Sequence, residues 1–216
     1  MTLPIELANY LPDDTARTWQ AIAPLVPKVA YLAGGTAITA HIRHRVSQDL
    51  DFFLEDQVDL ADLVSTLAAA GPFAVTLRNE NTLNGVFSAT KVQFLDASAH
   101  HFVDKFTEIG GLRIASMRDL VAMKLKVIGD RGELRDYFDL MAIEQHHAGS
   151  VEEGLGDYLR RYAPAHGATA LHHLVLALGY LEDVDEDDLV PTEKSKITEY
   201  WHRRQPIIAR AAGLLS

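Results

Sequence analysis

The pattern of apolar residues changes once, at Ser116, and that change limits the fold more than any other feature. Before it, short apolar runs are punctuated by glycines and turn residues; after it, apolar residues recur at helical spacing. A helix is expected over 13–25. "KVAYLAGG" (28–35) then reads as a strand stopped by glycines, "TAITAHIRH" (36–44) as a helix and "DLDFFL" (49–54) as a strand. A helix over 60–71 stops at Gly71, and "FAVTLRN", "NGVFSATKVQFLD" and "GLRIAS" supply about four further short strands. From Ser116 on, helices are expected over 116–129, 133–147, 150–162, 169–183 and 192–215. The first opens on Ser116 with Asp119 three residues later, a capping-box-like signal. The fold class is α+β: a mixed sheet with flanking helices within residues 1–115, followed by a C-terminal helical bundle over 116–216.

At 216 residues and 48% apolar, with no internal repeat, the chain can bury the core of one large domain or two small ones. It has no run of about 18 apolar residues, and "MTLPIELANYLPDD" lacks the charged start and apolar middle of a secretion signal, so a cytoplasmic protein without membrane contact is expected. Cysteine is absent, which excludes disulfides, thiolate metal sites and a cysteine nucleophile. A formal net charge of −10 disfavours general nucleic-acid binding, but a local basic surface or a bound cation overrides a global charge. Much of the acid lies in "LEDVDEDD" (181–188), read as a solvated helix end or loop.

Two acids interrupt the second apolar strand. On a strand, residues i and i+2 share a face, so Asp49 and Asp51 aim two carboxylates one way while Leu50 and Phe52 take the other. Carboxylates about 7 Å apart repel unless a cation sits between them, and hard oxygen ligands favour Mg2+ or Mn2+, whose usual biological partner is a nucleoside triphosphate. Upstream, Gly34 and Gly35 permit close backbone approach, and Thr36 opens a helix whose free N–H groups suit a phosphate. The alternative is a capped turn or a surface strand balanced by Arg43 and Arg45, with the glycines an ordinary turn.

The stretch "GGTAITAHIRHRVSQDLDFF" resembles the signature of the AbiEii/MenT-type nucleotidyltransferase toxins, on the DNA polymerase β-like nucleotidyltransferase fold. The matching residues are Gly34, Gly35, Thr36, His44, Arg45, Ser47, Asp49, Asp51 and Phe52. The resemblance implies that Gly34, Gly35 and Thr36, with Arg45 and Ser47, hold the triphosphate, and that Asp49 and Asp51 bind the metal ions. A second block, "ASMRDLVAMKLKVIGDRGELRDYFDL" (115–140), is similar to the family's downstream segment and places Lys124, Arg131, Arg135, Asp136 and Asp139. Lys124 and Asp139 join Asp49 and Asp51 as implied catalytic residues, with Lys124 a point charge for phosphate. Arg131 and Arg135 are implied phosphate contacts, Asp139 being spaced to hold Arg135 on one helix face. Asp136 and Asp139 have an alternative reading as helix scaffolding, and Lys126, Lys91 and Arg78 as solvent-facing charges. The helical half is expected to pack on the sheet and complete the active site.

The chain departs from the fold's pattern where a third carboxylate commonly stands. In "TKVQFLD" Gln93 or Phe94 occupies that place, and Asp96, just beyond, is the candidate third metal ligand. His41 and His44, and the pairs starting at His100, His146 and His172, have no further ligand at zinc spacing; His44 is read with Arg45 as a support for the turn. The resemblance implies a nucleotidyltransferase that uses an NTP and Mg2+ or Mn2+, with the tRNA 3′ end as acceptor and a cognate antitoxin as partner. Arg43, Arg45, Arg118, Lys124, Arg131 and Arg135 form the expected basic path for RNA. The rival readings are a transferase acting on a protein and a catalytically degenerate binding module.

Overall fold

A computed structural model describes residues 3–215. The chain divides into two compact units. One runs from the N-terminal region to His100 and takes in Lys105–Ser116; the other joins His101–Asp104 to the chain from Met117 onward.

In order, the first unit comprises α1 (Ile5–Ala8), α2 (Asp13–Ile22), β1 (Ala30–Ala33), α3 (Gly34–Ile42), β2 (Leu50–Leu54), α4 (Leu60–Ala70), β3 (Phe73–Arg78), β4 (Thr82–Phe87), β5 (Thr90–Asp96), β6 (Thr107–Ile109) and β7 (Leu112–Ile114). The strands form a seven-stranded mixed sheet in the order β3-β4-β5-β2-β1-β7-β6, with β2 parallel to β5 and β1 parallel to β7. Alternation sorts the faces: Leu50, Phe52 and Leu54 of β2, Val92 and Phe94 of β5, and Leu83 and Phe87 of β4 are buried. The Phe52 and Phe94 rings stack at 4.9 Å. Helix α2 brings buried Trp19 and Ile22 to this core, and Thr18 bonds the Thr90 hydroxyl at 3.2 Å; α4 adds Leu63 and Leu67. Each fully buried side chain of this size contributes about 1.5–3 kcal/mol.

Elements of this unit differ from the sequence reading in places. Helix α2 ends at Ile22, with Ala23 as a C-cap that keeps helical dihedrals, because Pro24 has no N–H with which to continue the hydrogen-bond ladder. Helix α3 starts at Gly34, so the glycines are its first residues and not a preceding turn. The three-residue β6 was not anticipated, being too short to show alternation.

The second unit is helical: α5 (Met117–Asp130), α6 (Leu134–Gln145), α7 (Val151–Tyr162), α8 (Gly167–Leu178) and α9 (Lys194–Ala211). Helix α5 is buried almost continuously from Asp119 to Leu125 and packs on α6, α7 and α8. Gly154 lets α7 approach it, since a Cβ there would overlap Val121. Helix α8 stops at Leu178, short of the expected 183. Gly179 follows, and the Tyr137 hydroxyl lies within hydrogen-bond distance of the Ala177 and Tyr180 carbonyls, at 3.0 and 3.2 Å. The segment 101–104 belongs to this unit because Asp119 accepts from the Val103 and Asp104 N–H groups and Arg161 bonds the His101 carbonyl. Among the described residues no helix is long and apolar enough to cross a membrane.

Candidate active site

The opening of α3 tolerates no side chain at two successive positions. Gly34 has φ +68°, a left-handed conformation natural to glycine, and a Cβ there would overlap Asp51 Oδ2. At Gly35 a Cβ would overlap Arg45 Nη2 and meet Ser47 Oγ at 3.2 Å. The glycine pair therefore brings the helix backbone directly against a carboxylate and a guanidinium. The first N–H groups of α3 have no carbonyl within their own helix to bond. Next in line, buried Thr36 donates to the Asp49 carbonyl and lies 2.8 Å from the Ser47 hydroxyl. Thr39 donates to the Arg45 carbonyl at 3.0 Å, Ser47 N–H to the Tyr10 carbonyl at 3.1 Å, and Thr15 to the Gln48 carbonyl at 3.0 Å. These bonds fold "RHRVSQ" back along α3 and deliver Asp49 and Asp51 to its N-terminus.

Both aspartates are half-buried, and the alternation of β2 puts Asp51 on the face opposite Phe52. Across the sheet, Ala33, Asp51, Gln93 and Asn84 are successive register partners on β1, β2, β5 and β4. Gln93, not Phe94, thus stands beside Asp51, and Phe94 belongs to the core. Among the described residues, Asn84 Oδ1 is buried without a hydrogen-bond partner. Asp96 pairs with Leu54, three residues farther along, which puts it about 10 Å away on the opposite face. It is exposed, and the Ser98 backbone N–H at 2.9 Å holds its carboxyl below the usual range. With Asp56, Glu80 and Asn81 it lines a separate cavity of ≈ 340 Å3. The structure does not bring Asp96 to the Asp49–Asp51 pair.

Among the described residues no cluster of three or more His, Cys, Asp or Glu is placed to hold a metal ion. Two carboxylates beside a helix N-terminus fit the needs of Mg2+, which takes one or two carboxylates and draws its remaining ligands from phosphate and water. Three of the histidines bond within the fold: His41 Nε2 donates to the Ala115 carbonyl at 2.9 Å, His173 Nε2 to the Gly129 carbonyl at 2.7 Å, and His44 Nδ1 lies 3.5 Å from the Thr39 hydroxyl.

The downstream block forms a cluster within the helical unit. Lys124, 8% exposed, has its Nζ 2.7 Å from Asp136 and 2.7 Å from the fully buried Asp139. Asp136 also accepts from Glu133 N–H at 2.9 Å, closing a capping box at the start of α6. Arg135 is not held by Asp139; it pairs with Glu133 at 3.1 Å and Asp187 at 3.0 Å, because Asp139 is engaged by Lys124. Arg131 is exposed and paired with Glu133. Arg118 forks onto Asp157 at 2.9 and 2.7 Å. Arg118, Lys124, Arg131 and Arg135 of the expected basic path are thus in ion pairs with carboxylates. No sequence signal marked Asn84, whose place beside Gln93 depends on the hairpin register.

No family model matches the chain. An uncharacterised protein of Aquifex aeolicus is 25% identical over 184 residues, 83% of this chain and 84% of that protein. Two solved Helicobacter pylori structures cover 98% of this chain with a TM-score of 0.60: JHP933, 19% identical over 95% of its length, and a candidate nucleotidyltransferase, 18% identical over 98% of its length. The MenT4 nucleotidyltransferase toxin of Mycobacterium tuberculosis overlays at 0.45 with 13% identity over 98% of this chain and 94% of its own, a likeness too slight to bear on function. With its seven-stranded mixed sheet, flanking helices and C-terminal helical region, the chain has the nucleotidyltransferase fold.

Proposed function

We propose that the chain is a nucleotidyltransferase that moves a nucleotidyl group from an NTP to an acceptor hydroxyl. The observation that carries this reading is the packing of Gly34 and Gly35 against Asp51 and Arg45, which sets a helix N-terminus and a guanidinium beside the Asp51 carboxylate. The N–H groups opening α3 and the Arg45 side chain bind the triphosphate, and Ser47 and Thr36 hold that backbone in place. Asp49 and Asp51 hold Mg2+ or Mn2+, which neutralises charge on the phosphates when bound. The acceptor oxygen bonds the α-phosphorus, the α–β bridging P–O bond breaks with its electron pair leaving on pyrophosphate, and the hydroxyl proton passes to Asp51.

The sequence resemblance extends the proposal to a toxin of a toxin–antitoxin or phage-defence pair, with the tRNA 3′ end as acceptor and a cognate antitoxin as partner. The test is transfer of each labelled NTP with Mg2+ into total tRNA and lysate protein, with Asp51→Ala as control. Label in tRNA that the variant loses supports the proposal; label in protein alone replaces the acceptor; no label in either refutes transfer. A second reading, a binding module that retains the fold without chemistry, is favoured by the Gln93 amide at the third position. It predicts that Asp51→Ala retains growth inhibition.

A further inference from the structure

The sheet places a neutral pair beside the two aspartates. Gln93 is the register partner of Asp51 and Asn84 the register partner of Gln93, on neighbouring strands roughly 4.8 Å apart. Directly paired residues project from the same face. The alternation agrees: Leu83, Phe94 and Phe52 form the buried row behind, while Asn84, Gln93 and Asp51 are half-buried in front. A buried amide oxygen without a partner costs stability unless something donates to it, and Asn84 Oδ1 is such an oxygen. Among the described residues only two carboxylates, Asp49 and Asp51, stand at this end of β2, so the protein by itself offers a divalent cation a weak, two-carboxylate site.

We propose that Gln93 and Asn84 are positioning residues for the acceptor: an uncharged amide floor that hydrogen-bonds the attacking hydroxyl next to Asp51 and leaves metal binding to the aspartates and the nucleotide. The proposal rests on the transferase reading above. An amide at position 93 keeps the charge of the free site at two carboxylates, so a divalent cation binds the free site weakly and binds tightly once the triphosphate supplies further oxygen ligands. It also takes up no proton from the hydroxyl, which passes to Asp51.

The experiment measures Mn2+ binding to the nucleotide-free full-length protein by electron paramagnetic resonance, and transfer kinetics with the acceptor varied. Three variants are compared with wild type: Gln93→Glu, Gln93→Met and Asn84→Ala. Gln93→Glu is expected to tighten Mn2+ binding by about tenfold or more, a gain that misfolding cannot produce. Gln93→Met, which keeps the side chain's length, is expected to leave Mn2+ affinity within about twofold and to raise the acceptor KM by about tenfold, the worth of a lost hydrogen bond, with the KM for NTP unchanged. Asn84→Ala is expected to act in the same direction as Gln93→Met. Unchanged Mn2+ affinity in Gln93→Glu overturns the placement beside the metal pair. Loss of Mn2+ binding in Gln93→Met makes Gln93 a ligand and overturns the positioning role. If wild type binds Mn2+ through Asp51 but transfers to no acceptor, the transferase reading fails and the positioning role with it, whereas normal wild-type transfer with an unmoved acceptor KM in Gln93→Met sinks the positioning role alone.

Discussion

The two units use the same chemical groups in opposite ways. In the helical unit, Lys124 is buried between Asp136 and Asp139, and Arg161 and Asp119 are both fully buried at 2.6 Å from each other. These charges neutralise one another inside the protein, and each gains from a partner that is always present. In the sheet unit, Asp49 and Asp51 share a half-buried strand end, and the neighbouring backbone is stripped of side chains to meet them. Under the proposed function, these two like charges, with Gly34 clearing room beside Asp51, would receive a cation and a phosphate from outside. The difference lies in burial: the charges of the helical unit are enclosed with their partners, whereas Asp49 and Asp51 stay half-buried.

The largest effect expected from breaking this contrast is in the helical unit. Lys124→Ala removes the cation from between two buried acids and should destabilise the protein by about 3–5 kcal/mol, read from urea unfolding midpoints. An unchanged midpoint with lost transfer would move Lys124 to the chemistry. Asp51→Ala should reduce transfer on the order of 100- to 1000-fold and abolish Mn2+ binding, while the far-ultraviolet spectrum stays that of the folded protein. Retained Mn2+ binding would break the reading of the sheet unit.

Glu144 offers a pH test of the buried network. Burial opposes its ionisation, but hydrogen bonds from Arg204, Tyr200 and the Val151 N–H outweigh it and hold its carboxyl below the usual range. A depressed folded-state value contributes stability above the unfolded value, about 4.3, which is lost as pH falls through the folded one. Glu144→Gln should therefore cost about 3 kcal/mol at pH 7, and the gap to wild type should close below about pH 4 in thermal melts. Gly34→Ala forces a side chain into left-handed backbone and onto Asp51. It should cost about 1–2 kcal/mol in unfolding experiments and weaken Mn2+ binding. Arg131→Ala, at an exposed pair with Glu133, should shift stability by less than about 0.5 kcal/mol.

How much of this was legible differs residue by residue. Gly34, Gly35 and Asp51 lie within one short span, and strand alternation with the steric freedom of glycine sufficed to bring Asp51 against the glycine pair, while Asp49 stands just before β2. The choice between Gln93 and Phe94 was not legible, because it depends on the β2–β5 register between segments some forty residues apart. Arg135 and Asp139 look like an i,i+4 pair on one helix, yet Lys124 from another helix engages that acid and Arg135 turns to Asp187. Residues 101–104 carry no periodicity of their own, and only the Asp119 and Arg161 bonds assign them to the helical unit.

The sequence by itself determined the α+β division at Ser116 and the placing of Asp51 on the strand face opposite Phe52, because each follows from local periodicity. Tertiary structure alone decided which residue stands beside Asp51 and which cations are already spent on internal carboxylates. Strand register and ion pairing are competitions among partners far apart in the chain, and their outcome exists only once the chain has folded.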